Sequence, residues 1–300
     1  MTLVQSEAAE TGAVRFENPK RAEWQARSLV VLGDSTAVGL GDPLPGGRWR
    51  GVGPLLAEAL SDTVAVRLTN LSLAGARMAD VRRTQLPEGL LAQPDVVVII
   101  VGMNDTLRAD FDPVGMHEDL DHVVSTFKQA GAVVLTVTFH DHSKVFRLPG
   151  ALSRALRSRI EQLNSVITTV ATRRGAGCLD ISGLDGTYDM AAWSVDRLHP
   201  SELGHRMLAL GFSELLTGFG CRIPNPVSLV CSGGAKVGLL GHIAWLILKG
   251  IPFLWRRSRD LMPHAIMIVM RSALDNTRRL EAARADLGPV RQIESRPDAA

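Results

Sequence analysis

From Ser28 onward, short and almost wholly apolar runs alternate with longer stretches in which apolar residues recur every three or four positions. This is the pattern of strands buried in a parallel sheet and separated by amphipathic helices. The runs SLVVLG (28–33), VAVRLTNLSL (64–73), DVVVIIVG (95–102), AVVLTVTF (132–139) and GCLDI (177–181) are rich in β-branched residues and predict five strands. The stretches 50–60, 77–86, 114–130 and 151–174 predict helices, the last starting after Pro149 and Gly150 and ending at Gly175. His199, Pro200 and Ser201 open a further helix, with Pro200 suited to a first turn and Leu203, Met207, Leu208, Phe212, Leu215 and Leu216 on the buried side. Gly218 and Gly220 close it. The first and third runs are nearly all apolar, which suits central strands covered on both faces. The expectation is an α/β fold on a mainly parallel, five-stranded sheet, with function at the carboxyl ends of its strands.

Composition adds bounds to this picture. At 300 residues, 46% hydrophobic and 21% charged, the chain buries a sizeable core and exceeds the usual size of one small domain. A net charge of +2 is too mild for a nucleic-acid binder, so no nucleic-acid partner is expected. Cys178, Cys221 and Cys231 have neither zinc-site nor CxxC spacing and read as reduced thiols. Residues 1–27 form a polar segment with Glu7, Glu10, Glu17, Lys20, Arg21 and Glu23 and without the apolar stretch of a signal peptide, so a cytoplasmic location is expected. The strand–helix pattern fills 28–219. A Pro/Gly/Ser-containing linker follows at 220–236, and 237–300 is an apolar, helical C-terminal extension. Its run 237–255 approaches the length of a membrane span but contains His242, Lys249 and Pro252. Packing on the main domain or on a second subunit, or as a lid, is expected ahead of peripheral membrane contact through 237–259, where Arg256, Arg257 and Arg259 lie beside Trp245, Phe253 and Trp255. The oligomeric state is left open.

Four short blocks carry candidate chemistry. The first predicted strand runs into Gly33, Asp34 and Ser35, placing a serine at a strand-to-helix turn where a neighbouring base can activate it. The α/β-hydrolase elbow would require glycine two residues after the serine, where Ala37 stands, and a Rossmann GxGxxG is absent from this turn. Gly75 follows the second strand, and Gly102, Met103, Asn104 and Asp105 follow the third, where Asn104 offers an amide donor. Asp196 and His199 stand three apart just before a helix; the carboxylate can hold the imidazole tautomer and leave Nε2 to take a proton from a serine. Each block alone also reads as ordinary cap or turn chemistry. Their order along the strand ends does not.

With GDS, the lone glycine, GxND and DxxHP in this order, residues 28–217 resemble the SGNH, or GDSL-type, hydrolases. Thr36 stands where that pattern often has leucine, next to the reacting serine. The resemblance implies a three-layer α/β/α sandwich with a flavodoxin-like sheet and a serine esterase or lipase acting on carboxylic esters, with a small-molecule or lipid ester as substrate. It implies Ser35 as nucleophile, His199 as base and acid, Asp196 as its orienting carboxylate, and an oxyanion hole from the N–H groups of Ser35 and Gly75 and the Asn104 amide. An acyltransferase or sugar O-acetylesterase would use the same residues; a non-catalytic membrane-docking protein is the reading from a different class. No cofactor is called for, and His140, Asp141 and His142 lack a third ligand at metal-site spacing. Met103, Asp105, Arg108, His140 and Trp193 are candidates for the substrate pocket, with Phe139 and Phe146 as further wall residues and Arg197 as a charge that could meet an anionic group.

Overall fold

A computed structural model describes residues 23–145 and 150–232, together with the isolated position 266. Residues 1–22, Phe146 and the apolar run 237–255 lie outside the described residues.

The first strand, β1 (Ser28–Gly33), is buried throughout and leads into the single turn α1 (Ser35–Val38). The chain continues through α2 (Val52–Leu60), β2 (Arg67–Asn70), and α3 (Met78–Asp80), which passes through a π turn at Val81–Gln85 into α4 (Leu86–Leu91). It then forms β3 (Val96–Ile100), the short α5 (Met103–Thr106), α6 (Pro113–Gln129), β4 (Val133–Thr138), α7 (Gly150–Arg174), β5 (Gly177–Asp180) and α8 (Glu202–Gly218). Among the described residues the strands form one parallel sheet in the order β2-β1-β3-β4-β5, the flavodoxin-like order.

That order fixes the layers. The chain steps outward from β1 to β2, then returns across β1 to β3. Parallel crossovers of one hand place connections made in opposite directions on opposite faces of the sheet. Accordingly α2 packs with α8 on one face, while α4 lies over β1 and α6 packs with α7 on the other. Phe127 of α6 and Phe212 of α8 are both fully buried, one in each helical layer; truncating either to alanine is worth about 3–5 kcal/mol. The strands read as central, β1 and β3, are adjacent and wholly buried. The reversal leaves a crevice between their carboxyl ends, where such sheets bind ligands.

Three elements differ from the sequence expectation. The second strand is four residues long instead of ten, because it is an edge strand paired on one side only and needs less apolar sequence than a central one. The helix predicted to end at 86 continues to Leu91, with Pro87 in the first turn of α4 directly after the π turn. The last helix starts at Glu202. Ser201 is its cap, accepting from the Gly204 N–H at 3.3 Å, and Pro200 belongs to the preceding loop, in an antiparallel bridge with Trp193.

The chain on either side is fastened to this unit. Trp24 and Cys221 form a parallel bridge, and the Trp24 indole donates to the Phe219 carbonyl at 3.0 Å. Asn225 closes the end of α2, its N–H donating to the Ala59 carbonyl at 3.1 Å and its amide to that of Ser61 at 2.7 Å. The described part of the segment read as a linker therefore runs against the domain. Cys178, Cys221 and Cys231 are free thiols. No helix among the described residues is long and apolar enough to cross a membrane.

Candidate active site

The turn after β1 is set by sterics. Gly33 has φ 135°, and a Cβ there would lie 1.9 Å from the Ile100 carbonyl oxygen, so the strand ends against β3 with no room for a side chain. Its N–H donates to Gln85 Oε1 at 2.7 Å, and Gln85 Nε2 donates back to its carbonyl at 3.0 Å. The next N–H, of Asp34, reaches the Ile100 carbonyl at 3.0 Å. The Asp34 carboxylate caps α1 by accepting from the Thr36 N–H at 3.0 Å, which leaves Ser35, half-buried, as the first residue of the turn.

Ser35 Oγ stands 2.8 Å from His199 Nε2, and His199 Nδ1 stands 2.7 Å from Asp196 Oδ2. Three side chains that are 164 positions apart at their extremes thus form one hydrogen-bonded line. The second carboxylate oxygen of Asp196 accepts from the Ser194 hydroxyl (2.6 Å) and from the N–H groups of Leu198 (2.9 Å) and His199 (3.0 Å). Burial pushes the Asp196 pKa up, but the bond from His199, its charge and the bonds from Ser194 and the backbone outweigh it and bring the value to about 2. A carboxylate so held stays ionised at neutral pH and fixes the imidazole with its Nδ1 proton toward Asp196.

Candidate oxyanion donors surround this line. Among the described residues, neither the Ser35 nor the Gly75 N–H meets a protein acceptor. Gly75 is exposed at φ 86° with open space where a Cβ would sit, so glycine serves the left-handed backbone here and not a close approach. Asn104 is buried on α5, and its amide donates to the Ala76 carbonyl at 3.1 Å and to Asp34 at 3.4 Å. Burial raises the Asp34 carboxyl to about 7 against the opposing pull of the Thr36 N–H and His199. The short α5 is tied down by Arg159 of α7, which is buried and donates to the carbonyls of Thr106 (2.8 Å) and Arg108 (2.6 Å).

The residues proposed from sequence for a substrate pocket separate. Met103, first in α5, is partly buried against the core, and Arg108 is half-buried just beyond that helix. Asp105 is 2% exposed and accepts from Arg77 Nε (3.1 Å) and the Met78 N–H (3.2 Å), so it is spent on holding the start of α3. Phe139 is in the core, its backbone bonded in both directions to the Asn164 amide. His140 and Trp193 are buried with ring centroids 4.4 Å apart, behind the loop that carries Asp196 and His199. Arg197 turns back to donate to the Met190 carbonyl at 3.0 Å. Among the described residues no group of three or more His, Cys, Asp or Glu side chains is arranged to hold a metal. Sequence reasoning missed Gln85, Ser194 and Arg159. Ser194 had a signal, a serine two residues before the aspartate, whereas the partners of Gln85 and Arg159 are more than 50 residues away.

Comparison with known proteins decides what this constellation belongs to. The family model described as GDSL-like lipase/acylhydrolase matches residues 31–207, more than half of the chain and all of the four motif blocks. The chain belongs to the GDSL-like lipase/acylhydrolase family. This acylhydrolase is an ester hydrolase with the serine esterase architecture of that family. It is 24% identical over 173 residues to an acetylxylan esterase of Geobacillus stearothermophilus, a match that spans 52% of this chain and 75% of the relative. Solved structures share the fold. A variant of the acetyl xylan esterase Axe2 from the same organism superposes with TM-score 0.52 at 20% identity, over 63% of this chain and 94% of that one. A lipase/acylhydrolase of Enterococcus faecalis gives 0.51 at 21% identity, over 64% and 96%.

Proposed function

We propose that this acylhydrolase cleaves carboxylic esters through an acyl-enzyme on Ser35. The observation that carries the reading is the continuous line Ser35 Oγ–His199 Nε2–His199 Nδ1–Asp196 Oδ2, with separations of 2.8 and 2.7 Å. Ser35 Oγ attacks the ester carbonyl carbon as its proton passes to His199 Nε2, and Asp196 balances the imidazolium. The negative oxygen that forms is met by the N–H groups of Ser35 and Gly75 and by the Asn104 amide, whose longer bond, the one to Asp34, is the one this oxygen replaces. Collapse breaks the C–O bond, and the alcohol leaves with the proton from His199. Water then repeats the sequence on the acyl-enzyme, with His199 as base, and releases the carboxylic acid and free Ser35.

Among esters, short acyl groups on a sugar hydroxyl are favoured, a reading supported by the acetylxylan esterase relative. The test is labelling with a fluorophosphonate probe, with the adduct located by mass spectrometry, alongside turnover of p-nitrophenyl acetate, butyrate and octanoate and of acetylated xylo-oligosaccharides. Wild-type protein is expected to be labelled at Ser35 and to favour acetyl substrates, and Ser35→Ala to lose both labelling and turnover. Full turnover by Ser35→Ala overturns the mechanism; preference for octanoate overturns the substrate class.

A further inference from the structure

In the mechanism above, the two oxyanion donors besides Ser35 come from the turns after β2 and β3, and these strands are not neighbours, because β1 lies between them. Sheet pairing therefore leaves the separation of the two turns to other contacts. Packing does not set it at the Gly75 turn, where Leu73, Ala74 and Gly75 are all exposed. Hydrogen bonds hold this turn instead. The Leu73 N–H donates to the Gly33 carbonyl and the Ala76 N–H closes the turn on the Leu73 carbonyl, both at 3.0 Å. Gly75 is thus third in a four-residue turn, with the positive φ that this position takes in a type II turn.

The far side of the turn is tied to α5 by two successive residues. Asn104 donates to the Ala76 carbonyl at 3.1 Å. Asp105 has both oxygens engaged, Oδ1 accepting from Arg77 Nε at 3.1 Å and Oδ2 from the Met78 N–H at 3.2 Å. Ala76, Arg77 and Met78 are therefore bound in a row to Asn104 and Asp105. Arg77 is oriented in turn by Asp110, which accepts from its Nη1 at 2.9 Å, and Arg159 anchors the other end of α5 through the Thr106 carbonyl. The Asn104 amide carries two hydrogens on one nitrogen. Since the Ala76 carbonyl takes one, the place of that carbonyl sets the direction of the other, which the mechanism aims at the oxyanion. The bonds that Asp105 makes are charge-assisted, roughly twice as strong as neutral ones, and they grip the two residues that follow Ala76.

We propose that Asp105 is a positioning residue of the oxyanion hole, clamping the Gly75 turn to α5 so that the Gly75 N–H and the Asn104 amide meet the same oxygen. The inference rests on the Ser35 mechanism above. Asp105→Leu is expected to lower kcat on p-nitrophenyl acetate about 10- to 100-fold with KM within about twofold, and to slow fluorophosphonate labelling of Ser35 by a similar factor. The discriminating measurement repeats the substitution in an Asn104→Ala background. A role confined to stability acts through the folded fraction and costs the same factor in both backgrounds, whereas a role in aligning the two donors costs less once one of them is gone. The loss of kcat on adding Asp105→Leu to Asn104→Ala is expected to be at least threefold smaller than in wild type. Should Asp105→Leu not fold, Arg77→Met, which cuts the same tie from its partly exposed end, replaces it in both backgrounds. The proposal is overturned if the variant used keeps kcat within twofold of wild type, or if its cost in the two backgrounds differs by less than threefold. Wild-type protein unlabelled at Ser35 would instead overturn the mechanism itself, a result separable from either of these.

Discussion

Asp34 carries a carboxyl group inside the protein, 3% exposed, next to Ser35. Its ordinary value is 3.8, and burial, helped by the nearby Asp105, raises it to about 7. Between these values the folded chain keeps a proton that the unfolded chain has released. The stability this group contributes is therefore full below the unfolded value and falls as pH rises toward the folded one. Asp196 runs the other way: its contribution is present above 3.8 and is lost as pH falls toward about 2. Asp34→Asn keeps an N-cap for α1 and removes the titration. We expect it to raise the thermal midpoint more at pH 8 than at pH 5; equal shifts at the two pH values in differential scanning calorimetry would contradict this account.

At the scale of elements, the π turn at Val81–Gln85 is what turns Gln85 inward. A widened turn inserts one residue into the helical register, and such turns recur near functional sites. Here it brings a side-chain amide to the backbone of Gly33, where the chain leaves the sheet to form α1. Gly33 cannot be replaced by a residue with a Cβ, so its backbone is held by this amide and by the Leu73 N–H, which donates to its carbonyl at 3.0 Å. Gln85→Leu orphans the buried Gly33 N–H. The expected cost is about 1–3 kcal/mol in urea unfolding, together with a fall in kcat that exceeds any change in KM, because the serine shifts relative to His199.

Over the whole molecule, one ionic network joins the loop after α1, the start of α8 and the segment 228–232. Arg50 binds Asp42 through two nitrogens, at 2.8 and 3.0 Å, and reaches Glu202 at 2.7 Å. Glu202 also pairs with Arg206 at 3.0 Å and accepts from the Ser232 N–H at 2.7 Å, while Arg206 donates to the Ser228 carbonyl at 2.8 Å. Asp42 is fully buried. Arg50→Leu leaves that carboxylate inside without its counter-ion, which costs about 3–5 kcal/mol. We expect a lower urea midpoint with an unchanged m-value, and weakened attachment of the 228–232 segment, read as faster hydrogen exchange there.

The strand and helix runs and the four motif blocks were legible in the sequence because each is written locally, while the sheet order and helical layers were implied only by the resemblance those blocks carry. Apolar runs mark central strands, caps and glycines mark turns, and Asp196 and His199 fall within one loop. The short edge strand and the late start of α8 were not, since one-sided pairing and a cap-versus-loop choice depend on neighbours that residue periodicity does not encode. The sequence by itself determined an α/β chain carrying Ser35, Gly75, Asn104, Asp196 and His199 at strand ends and loop positions. Tertiary structure decided which groups surround them: that Asp105 holds Arg77 and the start of α3, and that Gln85 seats Gly33. These contacts join residues 28 and 52 positions apart. Such pairs are brought together by the crossovers between parallel strands, and no local pattern in the chain records where those crossovers place a side chain.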